Sequence, residues 1–206
     1  MIIESIVSKI FGENTWIIGD EDSRTGIIID PGAGFDQIKK KIDDFDLSPV
    51  LILNTHLHPD HLFSGKKLQS HYQITYSAHQ DAKKLFDEFE QIAGSLGFSD
   101  LKKPEINSWL EDEKILKYNN FNIKVIHTPG HSPGSCCFLI NNKHLFSGDT
   151  LFSGSIGRTD LPYGSMEQMR KSLRRISDLP IKTKIYPGHG ETTTLEEELN
   201  TNPYLI

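Results

Sequence analysis

Residues 54–61 read NTHLHPDH, which places three of the chain's nine histidines and one aspartate in the six positions from His56 to His61. A hydrophobic core has no use for such crowding. Each buried imidazole needs partners for two ring nitrogens, and protonated neighbours repel one another. Neutral imidazole and carboxylate are ordinary ligands of zinc and iron, so a metal site accounts for the cluster directly. The stretch follows PVLILN (residues 49–54), a continuous apolar run of the kind shown by a strand covered on both faces. At the end of such a strand, His56 and His58 share one side by its two-residue period. Pro59 suits the first turn of a helix running to residue 72, in which Asp60 and His61 diverge by roughly 100°. The eight residues can therefore serve two adjacent centres, one at His56 and His58, the other at Asp60 and His61.

On the N-terminal side, IIESIV (2–7), NTWIIGD (14–20) and RTGIIIDPG (24–32) read as strands separated by Gly, Asn and Asp. GFDQIKKKIDDF (34–45) carries helical spacing at Phe35, Ile38 and Ile42. On the C-terminal side, QITYSA (73–78) predicts a strand. HQDAKKLFDEFEQIAGSL (79–96) predicts one helix with a single buried stripe, and residues 97–107 a loop. Strands resume at KILKY, NIKVIHT, SCCFLI and HLFSGDT, with Asn pairs at 119–120 and 141–142 as turn signals. A helix follows over 165–179 with Ser165 as its N-cap, then a short strand at 183–187 and a last helix within 193–201. Strands followed by helices occur in each half, which predicts two packed sheets with helices outside, one domain over residues 1–206.

Composition bounds the function. The 206 residues are 36% apolar and 24% charged, with a net charge of −6, as expected of a soluble globular chain without a nucleic-acid partner. The Lys pairs at 39–40, 66–67, 83–84 and 102–103 are scattered and read as solvated faces. The N-terminus lacks the pattern of a signal peptide and no run approaches a membrane span, so the expected compartment is the cytoplasm and no membrane partner is expected. Cys136 and Cys137 are adjacent and are the only cysteines, so they are expected to pack rather than to form a disulfide framework.

Three further segments share one form: a strand end, a Gly-containing turn and a candidate ligand. They are TPGHSPGS with His131, FSGDTLF with Asp149, and YPGHGE with His189. Loops at strand ends are where a sheet protein builds its site. The pattern T-H-x-H-x-D-H at Thr55–His61, followed in order by these three segments, resembles the metallo-β-lactamase superfamily. The resemblance runs from IIIDPG at Ile27–Gly32 to PGHG at Pro187–Gly190.

The resemblance implies an α/β fold, a four-layer αββα sandwich of two mixed sheets with helices outside. It implies one divalent metal on His56, His58 and His131, and a second on Asp60, His61 and His189. Asp149 would bridge them, and a hydroxide held between the ions would be the nucleophile, so that Asp60 and Asp149 belong to the catalytic centre. Zinc is the first choice, with iron or manganese also suited to these ligands. Asp30 matches a position near the metals, where it either orients a ligand imidazole or caps the turn before Pro31. His71, His79, His127 and His144 match no ligand position and are expected to be structural.

Within the superfamily, GDTLFSGSIGRTDLPYGS (148–165) resembles glyoxalase II and its short relatives, which hydrolyse hydroxyacylglutathione thioesters. The implied partner is a small-molecule thioester, with the oligomeric state left open. Asp rather than Cys near position 149 argues against antibiotic hydrolysis as the native task, and the 17 residues after His189 are too few for the extra domains of RNA-processing relatives. The alternative is a persulfide dioxygenase with one iron, which shares the GRTD signature at Gly157–Asp160. A third reading, a non-enzymatic metal-dependent binding or redox-partner domain, ranks last because no flavin module is present. Arg158 and Tyr163 are candidates for the substrate mouth. They are equally readable as a loop brace in which Arg158 pairs with Asp160 and Tyr163 packs over the pair. The four glutamates Glu191, Glu196, Glu197 and Glu198 are expected to repel an anionic tripeptide.

Overall fold

Alternation of side chains along the strands builds the layers. In β3 (Thr25–Ile29), Ile27 and Ile29 face one way and Ile28 the other, so the run is apolar on both faces. The computed structural model describes residues 1–205. Its first sheet contains β1 (Ile2–Val7), β2 (Asn14–Gly19), β3, β4 (Ser48–Asn54), β5 (Thr75–His79) and β6 (Ser108–Leu110) in that order. The first three strands pair antiparallel and the last four parallel. The second sheet holds β7 (Ile115–Tyr118), β8 (Phe121–His127), β9 (Cys136–Ile140), β10 (His144–Gly148), β13 (Lys184–Pro187) and β14 (Thr193–Thr194), in the order β14-β13-β10-β9-β8-β7. A small hairpin, β11 (Leu151–Phe152) and β12 (Ser155–Ile156), stands beside it.

Three apolar layers hold four structural layers together. Between the sheets, Trp16, Ile27, Ile29 and Leu53 meet Phe121, Val125, Phe138 and Phe146. Outside the first sheet, Ile28 and Ile52 lie under α1 (Phe35–Asp44), α2 (Gly65–Tyr72), α3 (Lys83–Asp87) and α4 (Phe89–Ser95), which contribute Ile38, Ile42, Leu68, Phe86 and Phe89. Outside the second, Leu139 and Ile185 pack against Met169, Leu173 and Ile176 of α5 (Met166–Ser177) and Leu195 of α6 (Leu195–Thr201). The arrangement is the αββα sandwich. Cys136 and Cys137 fall on opposite faces, one in the inter-sheet layer and one under α5, and burial pushes both thiols up, Cys137 to about 11. Ser165 caps α5 by accepting from the Gln168 amide.

Strand direction brings the candidate ligands to one edge. β3 and β4 are parallel and end at Asp30 and at the His56–His61 segment. β8 and β10 are both antiparallel to β9, and β10 is parallel to β13, so all three point the same way and end near His131, Asp149 and His189.

Four local expectations are corrected. The helix expected from Pro59 to residue 72 is a single 3-10 turn, Pro59–His61, followed by α2 only from Gly65. The intervening backbone is pinned across the fold, because the Ser64 amide donates to the carbonyls of Pro31 and Gly32. Gly65 is required where Tyr76 passes, since a Cβ there would collide with the phenol ring. The single helix expected over 79–96 is a 3-10 turn (Gln80–Ala82) and the two helices α3 and α4, bent apart at Glu88. The short strands β6, β11, β12 and β14 exist by pairing with neighbours and carry no pattern of their own. Glu198 is not a surface charge. It is buried and accepts from the Gly154 amide at 2.9 Å, Thr193 Oγ1 at 2.7 Å and Asn202 Nδ2 at 2.7 Å.

Glu198→Ala strands the Gly154 amide and removes an acceptor from Thr193 and Asn202, and is expected to cost about 2 kcal/mol in urea unfolding, whereas Glu196→Ala on the exposed face of the same helix should stay within about 0.5 kcal/mol.

Candidate metal centre

The His56–His61 and His189 segments are fixed from behind by buried side chains. Asn54, at the end of β4, donates to the carbonyls of His56 (3.1 Å) and His61 (3.0 Å) and so folds the His56–His61 turn on itself. Tyr76 holds the other end of that amide by donating to Asn54 Oδ1. Asp30 sits in the left-handed region, with φ 49°, and its carboxylate accepts from the Thr55 amide at 2.7 Å and the Thr55 hydroxyl at 2.6 Å. Its Oδ2 also lies 3.1 Å from His61 Nδ1, so Asp30 both orders the turn and orients a candidate ligand ring. The His189 loop is held by Asn14 and Trp16, which donate to the Pro187 carbonyl at 3.1 and 3.0 Å. His131 is oriented by the backbone carbonyl of Arg158, 2.8 Å from Nδ1, which turns Nε2 towards the other candidate ligands.

The seven candidate ligands come together in two groups. His56, His58 and His131 offer nitrogens within 4.8 Å of one another, and the closest pair, His58 Nδ1 and His131 Nε2, is 2.8 Å apart. Asp60, His61 and His189 form the second triad, with Asp60 Oδ2 3.5 Å from His189 Nε2 and 3.7 Å from His61 Nε2. Asp149 reaches both. Its Oδ1 is 3.5 Å from His61 Nε2, and its Oδ2 is 3.5 Å from His131 Nε2 and 3.7 Å from His189 Nε2.

These residues fit a pair of divalent ions. Separations of 3.5–3.7 Å are long for hydrogen bonds. They suit tetrahedral ligands sharing one ion, where bonds of about 2.1 Å put donors roughly 3.4 Å apart. His56 Nε2, His61 Nε2 and Asp149 Oδ1 are buried without a hydrogen-bond partner, a costly state that a metal would relieve. Gly188 is the close approach that permits this: a Cβ there would run into Asp149 Oδ1 and the His61 ring.

Electrostatics divide the triads. Burial and the adjacent His131 hold His58 down at about 3, and burial with neighbouring imidazoles holds His56 well below its usual value. His61 is buried too, but the carboxylates of Asp60, Asp149 and Asp30 outweigh that and raise it well above the ordinary histidine value. At His189, burial is likewise outweighed by the nearby carboxylates of Asp60 and Asp149. Burial opposes ionisation of Asp60, yet His61 and His189 hold its carboxyl below the usual range.

Other residues take different parts. Arg158 makes a bidentate pair with Asp160, both bonds 2.9 Å, on the exposed loop. Tyr163 does not pack over that pair. With φ at 67° it turns towards the first half of the chain, where its hydroxyl donates to Glu88 at 2.7 Å and Lys84 lies 4.3 Å from the ring centre. His79 and His127 stack at 3.9 Å with a 10° tilt beside Asp81. The in-plane lone pairs of rings so nearly parallel do not converge on one point, and His127 Nε2 is taken by the Pro133 carbonyl at 2.8 Å, so this cluster is a contact between the two halves. Glu13 carries no signal in the sequence beyond being a carboxylate directly before an apolar strand. It is fully buried against Gly32, its backbone bridges His189, and burial pushes its carboxyl well above the usual range.

The triads floor a cleft of about 550 Å³, into which His58, Asp60, His131, Asp149 and His189 project. A two-sheet αββα sandwich whose strand ends bring a triad of histidines and a His/Asp triad around one shared carboxylate defines a class of metal-binding proteins. The chain belongs to the metallo-β-lactamase superfamily, whose family model matches residues 9–189. It is 34% identical over 209 residues to hydroxyacylglutathione hydrolase GloC of Haemophilus influenzae, covering 100% of this chain and 98% of that one. Among solved structures it is similar to BLEG-1, a B3 metallo-β-lactamase, with a TM-score of 0.90 and 31% identity over 99% of both chains. It is similar also to TTHA1623 in a di-iron-bound form, with a TM-score of 0.86 and 32% identity, covering 98% of this chain and 100% of that one. No helix among the described residues is long and apolar enough to cross a membrane.

Two outcomes follow from this geometry. A protonated imidazole has no lone pair for a metal. As pH falls, the raised His61 and His189 take up protons first, while His58 keeps its lone pair to about pH 3, so the Asp60–His61–His189 site should empty first. Metal content after dialysis at stepwise lower pH should then fall in two stages, and simultaneous loss of both ions would contradict this. Gly188→Ala should keep the fold, read by circular dichroism, and lose metal by at least about ten-fold in affinity, the scale of a disturbed ligand support.

Proposed function

We propose that the chain is a binuclear metallohydrolase that cleaves a small-molecule thioester into a carboxylic acid and a thiol. The observation that carries this reading is the placement of Asp149 between two complete triads at the floor of an open cleft. The similarity to a hydroxyacylglutathione hydrolase along the whole chain supports the thioester as substrate class. Two divalent ions, when bound, would lower the pKa of a shared water and polarise the thioester carbonyl.

The chain's own residues supply position and charge. His56, His58 and His131 form the all-histidine triad, and burial keeps His56 and His58 unprotonated at physiological pH. Asp60 is held ionised, so it serves as an anionic ligand and not as a proton donor. Asp149 faces both triads, Oδ1 towards His61 and Oδ2 towards His131 and His189, and would be the ligand the two ions share. The Arg158 carbonyl and Asp30 orient His131 and His61 from behind. Water adds to the thioester carbonyl, the C–S bond breaks, and the departing thiolate is protonated from solvent. Histidine and aspartate ligands suit zinc, iron and manganese alike, and the related di-iron form supports keeping iron beside zinc.

The cleft lends little support to a glutathione clamp. Among the described residues lining it, Arg158 is the one Lys or Arg, and it is already paired with Asp160. The metal-loaded protein is expected to hydrolyse S-lactoylglutathione and the same acyl group on a small neutral thiol with kcat/KM values within a hundred-fold, about 2.7 kcal/mol of selectivity. Asp149→Ala should abolish turnover of both. Metal analysis should give two ions per chain, and a β-lactam run alongside should be the poorer substrate. One iron per chain with oxygen uptake on a persulfide, and no thioester turnover, would replace this reading by the dioxygenase.

A further inference from the structure

Above its ligand floor, the cleft is apolar. Phe11, Leu85, Ile92, Leu96, Phe152 and Leu161 line it, drawn from four separate parts of the chain. Phe11, before β2, and Leu96, after α4, remain 38% and 51% exposed, so the mouth presents large hydrophobic groups to solvent. Phe11 is held from behind by Phe63 and Phe98, with ring centres 5.9 and 5.7 Å away. Apart from the candidate ligands, the polar side chains here are Ser95 and Arg158. Among the described residues, the Ser95 hydroxyl donates to the Ile92 carbonyl and Arg158 is paired with Asp160, so neither is committed to a polar ligand.

A volume of about 550 Å³ belongs to a small-molecule site, not to a groove for a polypeptide. The cleft is also continuous with the ligand floor, so a group seated there is bonded to, or adjacent to, the carbonyl under attack. We infer that the substrate is a thioester carrying an apolar group, an alkyl chain or aromatic ring, which the Phe11–Leu85–Ile92–Leu96 wall removes from water. The inference rests on the thioester reading and names the substrate class that the site selects. The apolar group can lie on the acyl side or on the thiol side, and the two are separable by experiment.

Two substrate series on the metal-loaded protein test it. In one, acetyl, butanoyl, hexanoyl and octanoyl groups are carried on the same small neutral thiol. In the other, acetyl thioesters are made from alkyl thiols of increasing length. Each methylene buried is worth about 0.8 kcal/mol, a roughly four-fold rise in kcat/KM. One series should climb by about that factor per carbon until the cleft is full, and which series climbs tells which side is apolar. Binding of a non-hydrolysable S-octyl thioether, followed by calorimetry, should show the same chain-length gain without turnover. Leu96→Asp should flatten the climb and weaken thioether binding at least ten-fold, with Leu96→Met close to wild type.

Flat rates in both series together with chain-length-independent thioether binding overturn the inference while leaving the hydrolase reading intact. No thioester turnover with both ions bound sinks the hydrolase reading, and the thioether measurement still decides whether the wall takes an apolar group. A dimer in light scattering that Leu96→Asp dissociates, with the chain-length response unchanged, would show that the wall is covered by a second copy instead.

Discussion

Buried negative charge around one imidazole organises this molecule. Asp30, Asp60 and Asp149 all act on His61, and Glu13 lies within reach of the same group. A carboxylate out of water is expensive unless cations or donors surround it. Donors from Thr55 and Asn54 satisfy Asp30, and burial favours the protonated form of Glu13. For Asp60 and Asp149 the neighbours are imidazoles at 3.5–3.7 Å, too far for full hydrogen bonds and well spaced for shared ions. The strand order serves this arrangement. Parallel pairing of β3 with β4 and of β10 with β13 delivers both sets of loops to one edge, and the inter-sheet core from Trp16 to Phe146 fixes their separation.

Much of this was legible in the sequence because its chemistry is local. Three histidines and an aspartate in His56–His61 supply four of the seven candidate ligands, and the strand-turn-ligand form repeats at His131, Asp149 and His189. The two-faced apolar runs Ile27–Ile29 and Leu51–Leu53 announce strands buried on both sides. What stayed hidden depends on distant partners. The gap between Pro59–His61 and Gly65 is set by carbonyls of Pro31 and Gly32 on another strand end. The bend at Glu88 leaves the apolar stripe of α3 and α4 unbroken, so periodicity alone does not show it.

Charge alone also misleads about where a residue sits. Glu198 reads as one of a run of solvated acids, yet its three donors come from Gly154, Thr193 and Asn202. Tyr163 reads as a mouth residue from its neighbours in the chain, but its positive φ sends it to Glu88 and Lys84. Glu13 looks like an ordinary turn acid, and only the closeness of Gly32 and His189 shows that it is sealed behind the site. In each case a contact tens of residues away takes part, Gly154 for Glu198, Glu88 for Tyr163 and His189 for Glu13, and no pattern in the local sequence encodes it.

Arg158 divides its backbone from its side chain. The carbonyl fixes the His131 ring, while the guanidinium points to the exposed loop and pairs with Asp160. Any residue placed at 158 would keep that carbonyl, so the side chain at the rim is free to diverge as long as the turn retains its path. A lineage could therefore acquire a new preference by point substitution at this position without disturbing the metal ligands. Insertions or deletions in the same loop would move the carbonyl and unsettle His131. The loop's composition is open to evolution and its length is not.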